Sequence, residues 1–388
     1  MIKPNAAACC GCGACAAICP KGAIIMTRGA DGAAYPQVNM NVCIDCGLCE
    51  KVCDFAEFRP TGENPREVFA ARMRDANEVA TSRSGGFFMA LCHDVIDRGG
   101  IVFGSRLDED CRVVHIAART YEECYVFKGS KYVESHLGKT FSECREALKS
   151  GTPVLFSGTG CQVHALLRYL ETTNTSTENL LTVDIICHGA PTAGAWDAYR
   201  KVVEKREGAK MLHFNFRDKS KVAWENNMET YVLTDGTIKR ERRWGNLFYS
   251  CHAFRESCYH CRYTTVQRKT DFTIGDYWGI EKNAPRFNDH RGVSLVLVHT
   301  EKGIEAFRRV REYLDYEKTD LATSLQPQLM RPVKKKFGHR GFRRRFAKNP
   351  YRTVEKYTYP SLPVQLWRKA IAVSKRGVKK ILHVVRHH

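Results

Sequence analysis

The sequence lacks the features by which a chain enters or crosses a membrane. No stretch of its 388 residues approaches the 18 consecutive apolar residues that a transmembrane helix requires. The opening run MIKPNAAACC holds no apolar core of a secretory signal. We therefore expect a cytoplasmic protein in a reducing compartment, where clustered thiols more often bind metal than form disulfides.

Two further absences exclude classes of function. No Gly-x-Gly-x-x-Gly fingerprint is present, so a Rossmann nicotinamide site is not supported. The net charge is +19, but residues 331–388 hold 18 of the 61 Lys and Arg residues and only one acidic residue, Glu355. The rest of the chain is therefore close to neutral, and we expect no specific nucleic-acid partner.

Cysteine, in contrast, is abundant, with 18 residues. Two runs follow the spacing C-x2-C-x2-C-x3-C, at residues 9–19 and 43–53. This is the bacterial-ferredoxin spacing for [4Fe–4S] clusters, in which the fourth cysteine of each run binds the cluster of the other run. The spacing therefore predicts two clusters, one bound by Cys9, Cys12, Cys15 and Cys53 and the other by Cys43, Cys46, Cys49 and Cys19.

Zinc and disulfides are the alternatives to iron. Zinc sites usually combine two CxxC pairs across a loop rather than two runs of four cysteines, which favours the clusters. Cys10 stands outside both patterns, and we interpret it as a bystander. Residues 23–38, between the runs, are typical of a hairpin that turns near Asp31 and Gly32.

A second set of cysteines is scattered over later segments that alternate between strand-like and helix-like patterns. Cys161 follows a Gly-Thr-Gly turn, Cys187 ends a buried strand, and Cys258 and Cys261 form a CxxC pair. Turns at strand ends lie along one edge of an α/β sheet, so a third cluster is one interpretation. In the alternatives, Cys161 and Cys187 are small buried hydrophobes and the CxxC pair binds zinc with Cys251 and His260.

Six motifs occur in a characteristic order, namely SRSGGFFMAL, FSGTGCQVHAL, IICHGAP, FRDK followed by Trp224, SCYHC and DFTIGDYWGI. Over about residues 1–325 the chain thereby resembles the family of beta subunits of coenzyme F420-reducing hydrogenase and dehydrogenase. Its N-terminus is similar to that of the bacterial branch often associated with polysaccharide biosynthesis. The family often has Gly-x-Pro-Cys where this chain has Gly-Thr-Gly-Cys, so the turn before Cys161 differs.

The resemblance implies cofactors and ligands. Cys161, Cys187, Cys258 and Cys261 become the expected ligands of a third [4Fe–4S] cluster beside a flavin, FAD. The glycine turns suit close backbone approach to the flavin or its phosphates, although either can be an ordinary tight turn. The FRDK motif supplies cationic side chains for an anionic cofactor or substrate. The GDYWG motif either lines the site or belongs to the hydrophobic core. The expected cofactor-binding residues are Ser84, Gly85, Gly86, Gly158, Thr159, Gly160, Arg217, Lys219 and Asp276.

The fold expected from these observations is a mixed α/β architecture in several parts. Residues 1–60 form a ferredoxin-type 2[4Fe–4S] domain. Residues 65–150 and 151–325 form the N-terminal and C-terminal parts of a flavin-binding, beta-subunit-like domain, the latter with the flavin and the third cluster. Residues 331–388 form a basic helical tail.

The function implied is an oxidoreductase that passes electrons between clusters, flavin and an organic hydride acceptor or donor. That substrate is of the F420 type or belongs to a polysaccharide pathway, and His188 is the only candidate for a catalytic proton carrier, with a hydrogen-bonding role beside Cys187 favoured. The alternative is a ferredoxin-like relay subunit that serves a partner enzyme. In either case we expect a redox partner, either a ferredoxin or an oxidoreductase subunit.

The end of the tail has a helical pattern of its own. Val364, Trp367 and Ile371 begin an apolar stripe that continues to Val385, with Lys and Arg on the other side. Such a helix suits peripheral contact with an anionic membrane and a lipid-linked substrate. Packing against the protein's own core, a solvated basic arm and contact with RNA are the alternatives.

Overall fold

The structure is a computed structural model that describes residues 2, 5–53, 55, 63–224, 226 and 228–360. The amphipathic helix predicted over residues 364–385 lies outside the described residues. The strands are β1 (Ile24–Arg28), β2 (Ala34–Val38), β3 (Glu67–Met73), β4 (Ile101–Leu107), β5 (Val113–Ala118), β6 (Val154–Thr159), β7 (Leu180–Ile185), β8 (Met211–Asn215), β9 (Glu229–Leu233), β10 (Ile238–Glu241), β11 (Phe272–Asp276), β12 (Ser294–Val298) and β13 (Leu314–Lys318).

The α-helices are mostly short and alternate with the strands. They are α1 (Ala14–Ala17), α2 (Leu48–Lys51), α3 (Ala76–Thr81), α4 (Phe87–Asp97), α5 (Thr140–Lys149), α6 (Gly160–Thr172), α7 (Ala193–Glu207), α8 (Trp244–Ser250), α9 (Ile280–Asn283), α10 (Glu301–Val310), α11 (Leu321–Ser324), α12 (His339–Lys348) and α13 (Pro350–Thr358). Single 3₁₀ turns cover Glu123–Phe127, Glu256–His260, Pro285–Phe287, Arg311–Tyr313 and Pro327–Leu329.

The N-terminal unit is built from two similar halves around a hairpin. Strands β1 and β2 pair antiparallel from Ile24↔Val38 to Arg28↔Ala34, which confirms the predicted hairpin and its turn. Helices α1 and α2 each begin after a glycine in the left-handed region, Gly13 with φ 73° and Gly47 with φ 74°. Glycine reaches this conformation without a steric penalty, so each cysteine run can turn sharply into a short helix.

The central sheet has eight strands in the order β13-β3-β12-β11-β7-β6-β4-β5. Strands β4, β6, β7 and β11 run parallel, and antiparallel strands extend the sheet on both sides. Both faces are covered, by α4 and α10 on one side and by α5 and α6 on the other, which explains the continuous apolar runs of β6 and β7. The carboxyl ends of β6 and β7 meet at one edge, where Cys161 and Cys187 follow.

A smaller sheet, β10-β9-β8, forms a second core with α7 and α8. A hairpin at Asp235 and Gly236 joins β9 to β10. Trp196 and Trp244 are fully buried in this core, and α12 and α13 add Phe342 and Val354 to it. The first part of the basic tail therefore packs against the protein body.

Candidate iron–sulfur and cofactor site

The structure brings one predicted set of four thiols together at the surface of the N-terminal unit. These residues, which we call the outer set, are Cys19, Cys43, Cys46 and Cys49, and they line one small pocket. Cys46 is exposed, and the other three are half-buried. Backbone N–H groups of Ala23 and Asp45 point at the sulfurs of Cys19 and Cys43, at 3.3 and 3.4 Å.

The other predicted set lies against the protein body. Cys15, on α1, interacts electrostatically with Cys9, Cys12 and Cys53, so the last cysteine of the second run lies with the first run. We call these four residues the inner set. Burial is the main cause that raises the pKa of the Cys15 thiol, and the three neighbouring thiols add to it. This grouping is the one that ferredoxin-type ligand exchange requires, and the assignment of both sets to clusters remains a prediction.

The four scattered cysteines also converge. Cys161 begins α6, Cys187 follows β7, and Cys258 and Cys261 lie in and just after the 3₁₀ turn Glu256–His260. Each of the last three interacts electrostatically with others of this third set. Burial first, and these neighbours second, raise the pKa of Cys187 to about 12 and that of Cys261 to about 11. Behind them the buried Arg268 forms an ion pair with Asp184 at 2.8 Å.

The donor sets fit iron–sulfur clusters. Crowded, buried thiols resist ionisation unless a cation offsets their charge, and a bound metal deprotonates a thiol outright. Gly189 and Ala190 direct backbone N–H groups at the sulfurs of Cys187 and Cys258, at 3.3 and 3.4 Å, a contact that tunes cluster potentials. Across the described ranges, no three His, Cys, Asp or Glu side chains are grouped so that they could hold a single metal ion. The thiolates of a four-iron cluster bind separate iron atoms and stand farther apart.

Sequence reasoning missed the position of Cys10. Its thiol contacts Cys12 of the inner set and Cys161 of the third set, so it lies between them. Its hydrogen bond is the largest of the causes that lower the pKa of Cys161 to about 7. Position 10 falls outside the ligand spacing and its partner Cys161 lies 151 residues away, so no local pattern could have revealed the contact.

A cavity of about 1250 Å³ opens beside the third set. Ligand pockets typically measure about 300–1,000 Å³, so this one is large enough for a cofactor together with a substrate. Cys10, Cys12 and all four cysteines of the third set line it. So do Ser84, Gly86, Gly158, Thr159, Gly160, Arg217 and Asp276 from the predicted cofactor-binding list.

One end of the cavity is basic. The guanidinium of Arg217 donates to the hydroxyls of Tyr132 and Tyr249, at 3.2 and 3.1 Å, and to the carbonyl of Trp224. Arg83 also donates to that carbonyl and pairs with Asp276 at 2.5 Å. Both arginines are buried, and in the described part of the chain the Nε atom of each has no hydrogen-bond partner. Two guanidinium groups thus meet at the Trp224 carbonyl, one of them paired with a carboxylate, and we call this part of the cavity the basic end.

The Ser-Gly-Gly turn and the FRDK motif meet at the basic end. Lys219 donates to the carbonyl of Ser84 at 3.2 Å, and burial lowers its pKa to about 8. A Cβ atom on Gly85 would lie 2.8 Å from the backbone nitrogen of Ser294, so only glycine fits there. Gly86 precedes α4, whose first N–H groups have no partner within the helix and therefore suit an anion.

His188 does not stand free in the cavity. Its Nδ1 lies 2.8 Å from the side-chain amide of Gln328, and its Nε2 lies 3.6 Å from the sulfur of Cys251. Burial lowers its pKa. These contacts favour the hydrogen-bonding role. The proposed partner of the CxxC pair, Cys251, contacts His188 instead, and the exposed His260 faces Glu256 at 3.5 Å.

The GDYWG motif is divided between core and cavity. Tyr277 is fully buried and bonds to Ser324, whereas Trp278 is half exposed and lines the cavity with Asp276. The fold and the two ferredoxin-type cysteine runs are therefore those of an iron–sulfur redox protein, and the cavity is large enough for a cofactor. Among the helices that the structure describes, none is both long and apolar enough to span a bilayer.

Comparison with known proteins agrees with this class. Residues 151–323 match the family described as the C terminus of the coenzyme F420 hydrogenase/dehydrogenase beta subunit, and residues 8–56 match the 4Fe-4S dicluster domain. The chain is 24% identical over 324 residues to the F subunit of F(420)H(2) dehydrogenase from Methanosarcina mazei, covering 79% of this chain and 83% of the relative. A solved chain of the F420-reducing [NiFe] hydrogenase complex from Methanosarcina barkeri has a TM-score of 0.45 and 16% identity, covering 76% of this chain and 92% of that one.

By these matches the chain is related to the coenzyme F420 hydrogenase/dehydrogenase beta subunits, with residues 151–323 matching their C-terminal region, and it carries a 4Fe-4S dicluster domain at residues 8–56. The resemblance found in the sequence is thereby confirmed, as is the ferredoxin-type N-terminus. The link to polysaccharide biosynthesis stays a prediction.

Proposed function

We propose that this protein is an iron–sulfur flavoprotein oxidoreductase that exchanges electrons between three [4Fe–4S] clusters, FAD and an organic hydride acceptor or donor. The observation that carries this proposal is the shared cavity. The third cysteine set, Cys10 and Cys12 all line the space that ends at the two buried arginines. A relay of clusters alone would not need so large a cavity.

The thiolates of the three sets would each hold one cluster. The outer set meets solvent at Cys46, the inner set lies against the body, and Cys10 joins the inner set to the third set. Electrons can therefore enter or leave at the outer set and reach the cavity through protein. A flavin bound there exchanges single electrons with clusters and hydride equivalents with organic molecules.

The residues of the basic end would bind the anionic parts of the ligands. Arg83, Arg217 and Lys219 supply positive charge, and the N-terminus of α4 supplies backbone N–H groups. At the third set, the turn Gly158–Thr159–Gly160 lines the cavity and would present its backbone to a bound ligand. The low polarity of the surroundings strengthens each of these attractions.

The substrate we propose is a deazaflavin coenzyme of the F420 type. The relative from Methanosarcina mazei is named for F(420)H(2), and the cavity is large enough for two ring systems. A lipid-linked or other polysaccharide-pathway substrate remains the alternative that the bacterial branch suggests.

A second candidate is a relay subunit that passes electrons to a partner enzyme. The exposure of Cys46 favours some redox partner in either case, because the outer set is open to another protein. The relative is named as one subunit of a dehydrogenase, which agrees with such a partner. The two candidates differ in whether this chain itself binds flavin.

Anaerobic purification followed by iron, sulfide and acid-released flavin analysis tests the proposal. We expect about twelve irons per chain, from three four-iron clusters, and one FAD. Clusters without flavin after anaerobic reconstitution would favour the relay. Zinc in place of iron, or fewer than about six irons, would contradict the cluster assignments themselves.

A further inference from the structure

Arg255 occupies an unusual position between the N-terminal unit and the body. It is 2% exposed, and its guanidinium donates to Glu134 at 2.7 Å and to the carbonyl of Ala34 at 2.8 Å. The same guanidinium reaches Cys9 of the inner set, at 3.8 Å from the sulfur and 3.4 Å from the carbonyl oxygen. A buried positive charge therefore lies directly beside one thiol of the inner set.

The surrounding residues fix this guanidinium. It lies over the ring of Tyr35 at 4.9 Å, and a Cβ atom on Gly11 would stand 2.5 Å from its Nη1 atom. Glycine at position 11, inside the first cysteine run, thus leaves the space that the arginine fills. Glu134 is held in turn by the backbone N–H of Ala193 at 2.9 Å.

The backbone of Arg255 belongs to the third set's ligand loop. Its N–H donates to the carbonyl of Ala190 at 3.0 Å, and its carbonyl accepts from the N–H of Cys258 at 3.1 Å. One residue therefore contacts the ligand loops of two cysteine sets. Neither its charge nor its position is explained by packing alone, because a buried arginine is costly unless it is paired and fully used.

We propose that the Arg255–Glu134 pair sets the reduction potential of the inner cluster independently of the outer cluster, an inference that rests on the cluster assignments of the proposed function. Reduction adds one electron to the cluster and makes it more negative. A guanidinium that donates to a ligand sulfur stabilises that added charge and raises the potential. The carboxylate of Glu134, whose side chain is 14% exposed, partly offsets this effect, so the two residues act with opposite signs.

The test is a redox titration of the anaerobically purified holoprotein, with dithionite as reductant and EPR to follow each cluster. Arg255→Gln should lower the midpoint potential of the inner cluster, and Glu134→Gln should raise it. We expect at least a tenfold change in the ratio of reduced to oxidised inner cluster at a fixed potential, which is about 59 mV for a one-electron couple. The midpoint potential of the outer cluster should not change in either variant.

Two further variants separate charge from structure. Arg255→Lys keeps the charge and should restore most of the potential. Arg343→Gln removes a different arginine of this interface, one that pairs with Asp31 at 2.8 Å, and should leave both potentials unchanged.

The inference would be overturned if either charge variant kept its full iron content and its inner cluster kept an unchanged midpoint potential. Equal shifts in the midpoint potentials of both clusters would also overturn it. If Arg255→Gln loses its inner cluster, the midpoint potential of the inner cluster in Glu134→Gln decides. A rise supports the inference, and a fall or no change overturns it. Missing clusters in the unaltered protein would instead contradict the proposed function.

Discussion

The two cysteine runs share one spacing, yet the sites they form lie in very different surroundings. The outer set surrounds a small surface pocket with an exposed Cys46, next to the exposed Ile44. The inner set lies by the body, where Cys15 is buried among the residues of α5 and α6 and Arg255 reaches Cys9. The same cysteine spacing therefore occurs in two surroundings that differ in solvent access and in neighbouring charge.

The largest effect is expected from a change in the third set. Cys258→Ser should remove the third cluster and so lower the iron content by about four per chain, while the EPR signals of the other two clusters remain. The reason is that Cys258 contributes to no other set. Unchanged iron content would show that the third set is not a cluster site, and Cys111→Ser, a buried cysteine outside the three sets, is the matched control.

Air exposure compares the outer and inner sets directly. With a chelator present, the outer cluster should lose its iron first, because solvent reaches Cys46 while protein covers Cys15. The decay of each EPR signal over time measures the two rates. Equal rates would mean that burial does not distinguish the two sites.

A smaller effect is expected at the basic end of the cavity. Arg217→Gln should weaken flavin binding about tenfold or more, because hydrogen bonds to charged groups contribute about 1.5–3 kcal/mol. Equilibrium dialysis of released and re-added FAD measures this affinity. Arg240→Gln, on β10 and paired with Asp218, is the control and should bind normally. An unchanged affinity for FAD in the Arg217 variant would show that this residue does not bind the flavin. If the variant binds FAD normally but turns over an anionic substrate less well, Arg217 belongs to the substrate site instead.

Gly32→Ala acts on the junction that covers the inner set. Gly32 has φ +82°, and an added Cβ atom would lie 2.8 Å from the hydroxyl of Thr192 and 3.0 Å from Phe346. Overpacking of this kind costs about 1–3 kcal/mol. Gly22→Ala also has a positive φ but no atom within 4 Å, so it isolates the backbone cost.

Urea unfolding should therefore show a larger loss of stability for Gly32→Ala than for Gly22→Ala. The inner cluster of the Gly32 variant should also become more sensitive to oxygen. Equal stability losses would mean that the junction accommodates the methyl group.

The smallest effect on the clusters is expected from removal of residues 361–388. Iron and flavin should be unchanged, because α12 and α13 already complete the core of the smaller sheet. If the predicted basic helix contacts membranes, the full chain should sediment with anionic liposomes at low salt and the shortened chain should not. Equal binding of the two chains, or no binding of either, would remove the membrane hypothesis.

Local patterns predicted much of the fold. The hairpin at Gly32 was predicted from a short turn signal, and the strand that ends before Cys187 was predicted to be buried. The spacing also predicted the exchange of Cys53 into the first run's site; Cys53 lies near Cys15, and its role as a ligand stays a prediction. These features depend on residues close in sequence or on a repeated motif.

The remaining site residues depend on contacts between distant segments. Arg255 reaches Cys9 from 246 positions away, and Arg83 pairs with Asp276 across 193. Neither arginine stands out in the sequence, because its role follows from burial and from its partner. Spacing can therefore predict ligands, but it cannot predict the charges placed beside them.

The burial of the inner set also implies an order of maturation. A carrier protein that delivers a preformed cluster must touch the thiols that receive it. The outer set can accept a cluster from solvent at any time, but Cys15 is covered once the N-terminal unit has docked, with Gly32 pressed against Gly194. Because metal binding and folding are coupled, an inner cluster bound as proposed would have to be inserted before docking, whereas an outer cluster could be inserted, lost and repaired afterwards.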